Sequence, residues 1–444
     1  MHMPQQSGPI PILSGPPGET AVALWRSLRP EHWPLSPEDL PAGTALVGGA
    51  VRDALLGRLQ ERPDLDLVVP VEALALTRGL AQRLGGSFVA LDPERSIARL
   101  VLRGWTIDLA RQAGSDLVAD LERRDYTINA MALLLPASAA QPPPALVDPH
   151  GGLAHLAARR LVAIREANLL DDPLRLLRGV RLAAELNFLI EPATWGWITR
   201  HHGRLGAVAG ERVLAELERL AAAPAGARPL AEALAAGLLR PWGGVAAATA
   251  TPLLAALTPT EASARGLSTQ EQAAALPLAR LAAVLTGEGL VLLQASRRLQ
   301  QRCRLLRRWR RELAEREAGD LDALAEAPRL ELQRALEADL PALLLHLPPA
   351  AAQAALVRWR NPADPLFHPR PPLDGHQLQQ ELGLGAGPEL GQLLGHLSRE
   401  RAFGRLPCSE SGQPLSAVQH EQVLMAARQW LRGSGSAAAV PRRD

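Results

Sequence analysis

The sequence predicts an α+β protein, with a small sheet-bearing head near the N-terminus and an all-helical chain after it. Three observations predict this. Between about 41 and 135, short apolar runs alternate with stretches of helical period, and beyond about 165 no strand-like alternation remains. Aromatics are only 3% of the chain while hydrophobic residues are 47%, so cores must be built from Leu, Val and Ala. Ala and Leu are strong helix formers. The chain has 444 residues, too many for one ordinary domain.

The elements follow in order. Residues 1–20 are rich in Pro, Gly and Ser and read as disordered, and 21–40 read as a short helix with a lead-in. Ala45–Gly49 reads as a strand and turn, 50–58 as a helix, 64–69 as a strand and 71–84 as a helix. Three runs, 87–91, 97–102 and 105–110, read as strands joined by turn-length links, which favours an antiparallel or mixed sheet. The proline run at 141–144 marks a loop. No fixed-period repeat is evident.

The net charge is only +2, yet the chain contains no lysine, so all 48 basic residues are arginine. A GC-rich genome gives the same bias, but arginine is also the better phosphate ligand. A near-neutral sum does not exclude nucleic acid, because the distribution of charge matters more. The two cysteines, Cys303 and Cys408, lack neighbours at metal spacing, which excludes a zinc site and a disulfide scaffold. Residues 1–20 lack the basic start and apolar run of a signal peptide. No stretch of about 18 apolar residues is free of charge and proline, so no membrane span is expected. These features fit a reducing, cytoplasmic setting.

Chemistry concentrates at LVGGAVRDALLGR followed by DLDLVV. Gly48 and Gly49, between a strand and a helix, let backbone N–H groups approach a phosphate, and Arg52 in the first helical turn reaches the same anion. An ordinary strand–helix turn reads the same way. Asp64 and Asp66 are two apart on a strand and so share a face, opposite to Leu65, Leu67 and Val69. Converging carboxylates suit Mg²⁺. A pair of such ions activates an attacking hydroxyl and stabilises leaving pyrophosphate. An exposed Asp pair on an edge strand is the bland alternative. Asp108, on the polar face of WTIDLA, is a candidate third carboxylate or else a surface residue. In RRDYTINAMAL, Asp125 and Asn129 are i,i+4 and would share one face of a helix, with Asp125 also a candidate N-cap. Asp172 before Pro173 is itself a ready N-cap.

Taken in order, these segments with VDPHGGLAHLAARRLVAIREA, DDPLRLLRGVRLAAEL and GERVLAELERLA resemble the class II tRNA nucleotidyltransferases and bacterial poly(A) polymerases, over about 45–220. The resemblance implies a polymerase-β-like nucleotidyltransferase head (41–150) after an N-terminal extension (1–40), a base-selecting helical neck (151–222), a helical body (223–330) and an RNA-binding tail (331–444). It implies that Asp64 and Asp66 hold two Mg²⁺ ions, and that Gly48, Gly49, Arg52 and Arg124 contact the triphosphate. Asp125 and Asn129 would meet ribose and triphosphate, and the segment with Asp148, Gly151 and Gly152 would act as a hinge. Asp172 and Arg175 would pair with incoming CTP or ATP, braced by Glu211 and Arg212. The family usually has Glu before that Asp, where this chain has Asp171. There is no HD-type phosphohydrolase signature.

The function implied is template-independent addition of C and/or A to the tRNA 3′ end. Tailing of RNA by a poly(A) polymerase is the alternative. CCA-adding members usually have a longer flexible loop between the DxD strand and RRD than this chain's LDPERSIARLVLRGW, so restriction to CC or A addition stands beside full CCA addition as an alternative. The retained carboxylates argue against a non-catalytic RNA-binding relative, and the helical body against a small-molecule transferase. The arginine-dense run 295–313 reads equally as a grip on RNA phosphates or as a face balanced by later acids.

Overall fold

The computed structural model describes residues 17–136, 145–315, 321–407 and 415–437. The first 16 residues of the expected disordered extension, the proline run at 141–144 and Cys408 lie outside them. The chain divides into two compact units, Met1–Glu216 with Ala236–Pro241, and Leu217–Ala235 with Trp242–Asp444.

The first unit carries a seven-stranded mixed sheet. Its strands are β1 (Ala45–Val47), β2 (Leu65–Val69), β3 (Ser87–Asp92), β4 (Ile97–Leu102), β5 (Trp105–Arg111), β6 (Ala132–Leu134) and β7 (Leu146–Val147), in the order β3-β4-β5-β2-β1-β6-β7. Only β2 and β5 run parallel; the other neighbours are antiparallel. The β3–β4–β5 meander therefore folds back so that β5 lies against β2. The alternation Ala98, Leu100, Leu102 and Ile107, Leu109 is buried, as the period of two requires. On the other face Ala45, Val47 and Val68 pack with Leu121, Ala130 and Ala132.

Around the sheet lie α1 (Pro17–Leu28), α2 (Gly49–Leu55), α3 (Ala73–Leu84), α4 (Leu117–Glu122) and α5 (Gly152–Ala157). Then come α6 (Glu166–Asp171), α7 (Leu174–Leu186), α8 (Pro192–Arg200) and α9 (Gly210–Ala222). The helix α1 starts before residue 21, inside the stretch read as disordered. A second difference lies past 165. A short parallel pair joins β8 (Arg160–Leu161) to β9 (Leu189–Ile190), too short for alternation to reveal.

The helix α7 is pinned by Tyr126, whose ring is fully buried and whose hydroxyl donates to the Arg175 carbonyl at 2.7 Å. A Cβ on Gly179 would sit 2.6 Å from the Tyr126 Cζ. Alanine gains at most about 1 kcal/mol of helix propensity here, whereas overpacking costs about 1–3 kcal/mol. Gly179→Ala is therefore expected to be net destabilising, read as a lower urea midpoint at unchanged slope. An unchanged midpoint would mean that the ring yields freely.

The second unit is helical: α10 (Ala227–Ala235), α11 (Ala247–Ala255), α12 (Pro259–Ala264), α13 (Thr269–Val284), α14 (Gly287–Leu292) and α15 (Arg297–Ala314), then α16 (Glu326–Leu336), α17 (Leu340–Leu344), α18 (Pro349–Trp359), α19 (Gly375–Leu382), α20 (Pro388–Ala402) and α21 (Ala417–Ala437). Its aliphatic core takes in one charge. Arg280 of α13 is fully buried and donates to the carbonyls of Leu257, Ala221 and Ala223 at 2.9, 2.7 and 2.6 Å. Those bonds offset part of the desolvation cost of the guanidinium. Near the C-terminus Leu378, Leu393, Leu397, Val423 and Leu424 form a separate cluster. Among the described residues no helix is long and apolar enough to cross a membrane.

Candidate active site

The site begins on β2. Asp66 faces Val47 of β1 on one side and Asp108 of β5 on the other. Arg99 of β4 faces Asp108 in turn, so Asp66, Asp108 and Arg99 form one row across the sheet. Asp64 lies just ahead of β2 and is exposed, while Asp66 is half-buried. Burial pushes the Asp66 carboxyl up to about 6; Asp108 and Asp64 push the same way, with Arg124 and Arg178 opposing.

Among the described residues neither Asp64 nor Asp66 has a hydrogen-bond or ion-pair partner. A half-buried carboxylate crowded by two others and left unpaired is short of positive charge, which fits a cation. No cluster of three metal-ligating side chains exists among the described residues. Mg²⁺ commonly takes one or two carboxylates and fills its remaining positions with phosphate oxygens and water. A neighbouring strand does bring Asp108 beside Asp66, but its carboxylate is already paired. Arg99 holds it by Nε at 2.8 Å and Nη2 at 2.9 Å.

The glycine turn closes over this carboxylate. Gly48 has φ +73°, and a Cβ there would stand 3.2 Å from Asp66 Oδ2 and 3.9 Å from the Arg124 guanidinium. Glycine serves both the positive φ and the close approach. Arg52 of α2 is tied down, to Asp53 at 3.0 and 2.9 Å and to Asn129 Oδ1 at 2.6 Å.

The segment after α4 corrects one expectation. Asp125 and Asn129 do not share an α-helix: Asp125 lies in a bend and Thr127–Asn129 forms a 3₁₀ turn. The two still meet, with Asn129 Nδ2 donating to Asp125 Oδ1 at 3.3 Å. Burial alone would raise the Asp125 carboxyl. Arg178, the Tyr126 N–H, Arg175 and Asn129 outweigh it and hold it below its ordinary value. Arg178 approaches Asp125 at 3.1 Å. Sequence reasoning missed Arg178; its place three residues after Arg175 on α7, hence on nearly the same face, was the available signal. Asn168 was missed as well. Its amide donates to the carbonyls of Glu122 and Arg124, both at 2.7 Å.

Asp172 and Arg175 stand at the junction of α6 and α7. The helix starts at Leu174, one residue later than an Asp172 cap implies, but Asp172 Oδ1 still accepts from the Leu174 N–H at 3.2 Å. Its other oxygen accepts from Arg212 of α9 at 2.8 Å. Arg175 Nη1 donates to the carbonyls of Arg123 and Asn168 at 3.0 and 2.8 Å. Both side chains are thereby aimed, and the Arg175 fork keeps donors to spare. They line a cavity of about 600 Å³ with Arg124, Arg123, Asp120 and Asp171. Arg95, from the turn between β3 and β4, and Arg111 line it too, neither of them anticipated. Asp148 caps the start of α5, accepting from Gly152 and Leu153 N–H at 2.7 and 2.9 Å.

Residues 44–162 match the family model described as the poly A polymerase head domain, and 187–242 match the one described as the probable RNA and SrmB-binding site of polymerase A. The chain is 33% identical over 392 residues to a CC-adding tRNA nucleotidyltransferase of Synechocystis, covering 83% of this chain and 91% of that protein. It is 32% identical over 421 residues to a CC-adding tRNA nucleotidyltransferase of Deinococcus radiodurans, covering 88% and 94%. The fold matches the Bacillus stearothermophilus CCA-adding enzyme solved with CTP, at TM-score 0.63 and 20% identity, over 94% of this chain and all of that one. With a glycine turn against paired carboxylates and relatives aligned over nearly their full length, the chain belongs to the tRNA nucleotidyltransferase and poly(A) polymerase family.

Proposed function

We propose that this chain adds two cytidines to the 3′ end of tRNA, with CTP as substrate and without a nucleic-acid template, and leaves the terminal adenosine to a second enzyme. The reaction is a single displacement. The tRNA 3′-hydroxyl attacks the CTP α-phosphate, the α–β bond breaks and pyrophosphate leaves. Asp64 and Asp66 would hold Mg²⁺, which when bound activates the hydroxyl and stabilises the departing charge. The backbone at Gly48 and Gly49 and the guanidiniums of Arg52, Arg124 and Arg178 take up the triphosphate. Asp125 and Asn129 orient the ribose side. Asp172 accepts from the exocyclic amine of the base, and Arg175 donates to its ring acceptors.

The observation that carries the CC-limited reading is the link between β3 and β4. It is four residues, Pro93–Ser96, and falls in the stretch between the DxD strand and RRD, where the resemblance leads to the expectation of a longer flexible loop in CCA-adding members. Both relatives matched over nearly their whole length bear CC-adding names, which supports the same reading. A tRNA already ending in CC, offered with ATP and Mg²⁺, tests it. The expected result is no extension, while tRNAs ending before CC are extended with CTP. Efficient A addition to the CC end would sink the restriction, though not the transfer reaction.

A further inference from the structure

The helical unit has a second cavity, of about 850 Å³, that the transfer reaction does not use. Its polar side is one face of α15. Arg307, Arg310 and Arg311 are spaced i, i+3, i+4 and so project together, while Cys303, Leu306, Trp309 and Leu313 form the buried stripe of the same helix. Other arginines nearby are neutralised by acids. Arg302 is bound by Asp339 at 2.8 and 2.6 Å, Arg308 by Glu312 at 2.8 Å and Glu331 at 2.6 Å, and Arg265, also on the wall, by Glu261 at 2.7 Å. Among the described residues, Arg307 bonds only a carbonyl, that of Leu285 at 2.9 Å, and Arg310 and Arg311 have no acidic partner.

Three guanidiniums thus share a recess without a counter-charge among the described residues. Burial foremost, then Arg307 and Arg311, hold Arg310 below its ordinary value, yet arginine remains charged in proteins. His346, on the same wall, is pushed down to about 3 by burial, Arg310 and Arg265, so it is neutral there and adds no positive charge. Leu253, Leu343 and Pro252 add apolar lining. A volume of this size is that of a small-molecule pocket.

We infer that this cavity binds a small phosphate ester with an apolar or planar part, of the size of a nucleoside monophosphate, with its phosphate on Arg307, Arg310 and Arg311 and its apolar part on the leucine lining. Guanidinium forks match phosphate oxygens in pairs. Free inorganic phosphate would use the cationic side alone and bind more weakly.

The test is calorimetric titration of AMP, and separately of inorganic phosphate, into the full chain, its Arg310→Gln/Arg311→Gln variant and its Arg175→Ala variant. Glutamine keeps length and removes charge at positions outside the buried stripe, and thermal melting checks the fold. AMP is expected to bind more tightly than inorganic phosphate. Its affinity is expected to fall by about tenfold or more in the double variant, two charge-assisted bonds being lost, and to hold in Arg175→Ala. Unchanged AMP affinity in the double variant overturns the proposal, as does absence of AMP binding at millimolar concentration. So does a fall in tRNA affinity with AMP binding intact, which would make these arginines part of an RNA surface.

Discussion

Asp66→Asn is expected to reduce CTP transfer to tRNA by about 10³-fold or more, since several kcal/mol of charge stabilisation is lost and each 1.36 kcal/mol is a factor of ten. The fold should survive, because the substitution is nearly isosteric. The sign of the stability effect is informative. In the free protein Asp66 is half-buried, is repelled by Asp108 and Asp64, and has no partner among the described residues. Removing its charge relieves that repulsion, so the melting temperature should hold or rise while activity collapses. A variant that turns over at the parent rate refutes the assignment. A variant that loses activity only because it unfolds shows instead that Asp66 is structural.

Arg175→Ala is expected to cost about 10–100-fold in discrimination between CTP and ATP, from the loss of one or two hydrogen bonds to a charged donor. The triphosphate is held elsewhere, at Gly48, Gly49, Arg52, Arg124 and Arg178 in this account, so affinity for the triphosphate should fall much less. Arg175→Lys should not rescue selectivity, because an ammonium lacks the planar fork. Competition between labelled CTP and ATP on one tRNA reads the ratio directly. Equal losses in selectivity and affinity would place Arg175 on the phosphates rather than on the base. Arg212→Ala supplies the companion measurement. It frees Asp172 from its 2.8 Å bond and should blur selectivity without touching the reading groups themselves.

Local features were legible in the sequence. The 64–69 strand, the glycine turn before α2 and the three strands after α3 are set by alternation and by turn residues, and each formed within a residue or two of its expected place. The Asp125–Asn129 contact was legible for a reason that did not hold. The residues meet because the bend at Asp125 and the 3₁₀ turn Thr127–Asn129 fold the chain back on itself, not because they share a helix face. What stayed hidden depends on pairings far apart in sequence. Nothing in WTIDLA says that β5 lies parallel to β2, and only that pairing sets Asp108 beside Asp66, while the β4–β5 hairpin brings Arg99 onto Asp108. Arg95 and Arg111 reach the cavity lined by Asp172 and Arg175 from one end of the meander, where the β3–β4 turn lies beside the end of β5, again through topology. The arginine run of α15 was ambiguous because its residues serve two purposes: Arg302 and Arg308 are balanced by acids, while Arg307, Arg310 and Arg311 face a cavity.

The most direct test of transfer itself uses purified chain, Mg²⁺ and CTP alone, with a tRNA trimmed of its last three nucleotides and the products resolved to single-nucleotide length. Two residues are expected to be added, followed by a halt. No extension at all would contradict the catalytic assignment, and an open-ended tail, or equal extension of unrelated RNAs, would contradict addition of a defined end to tRNA.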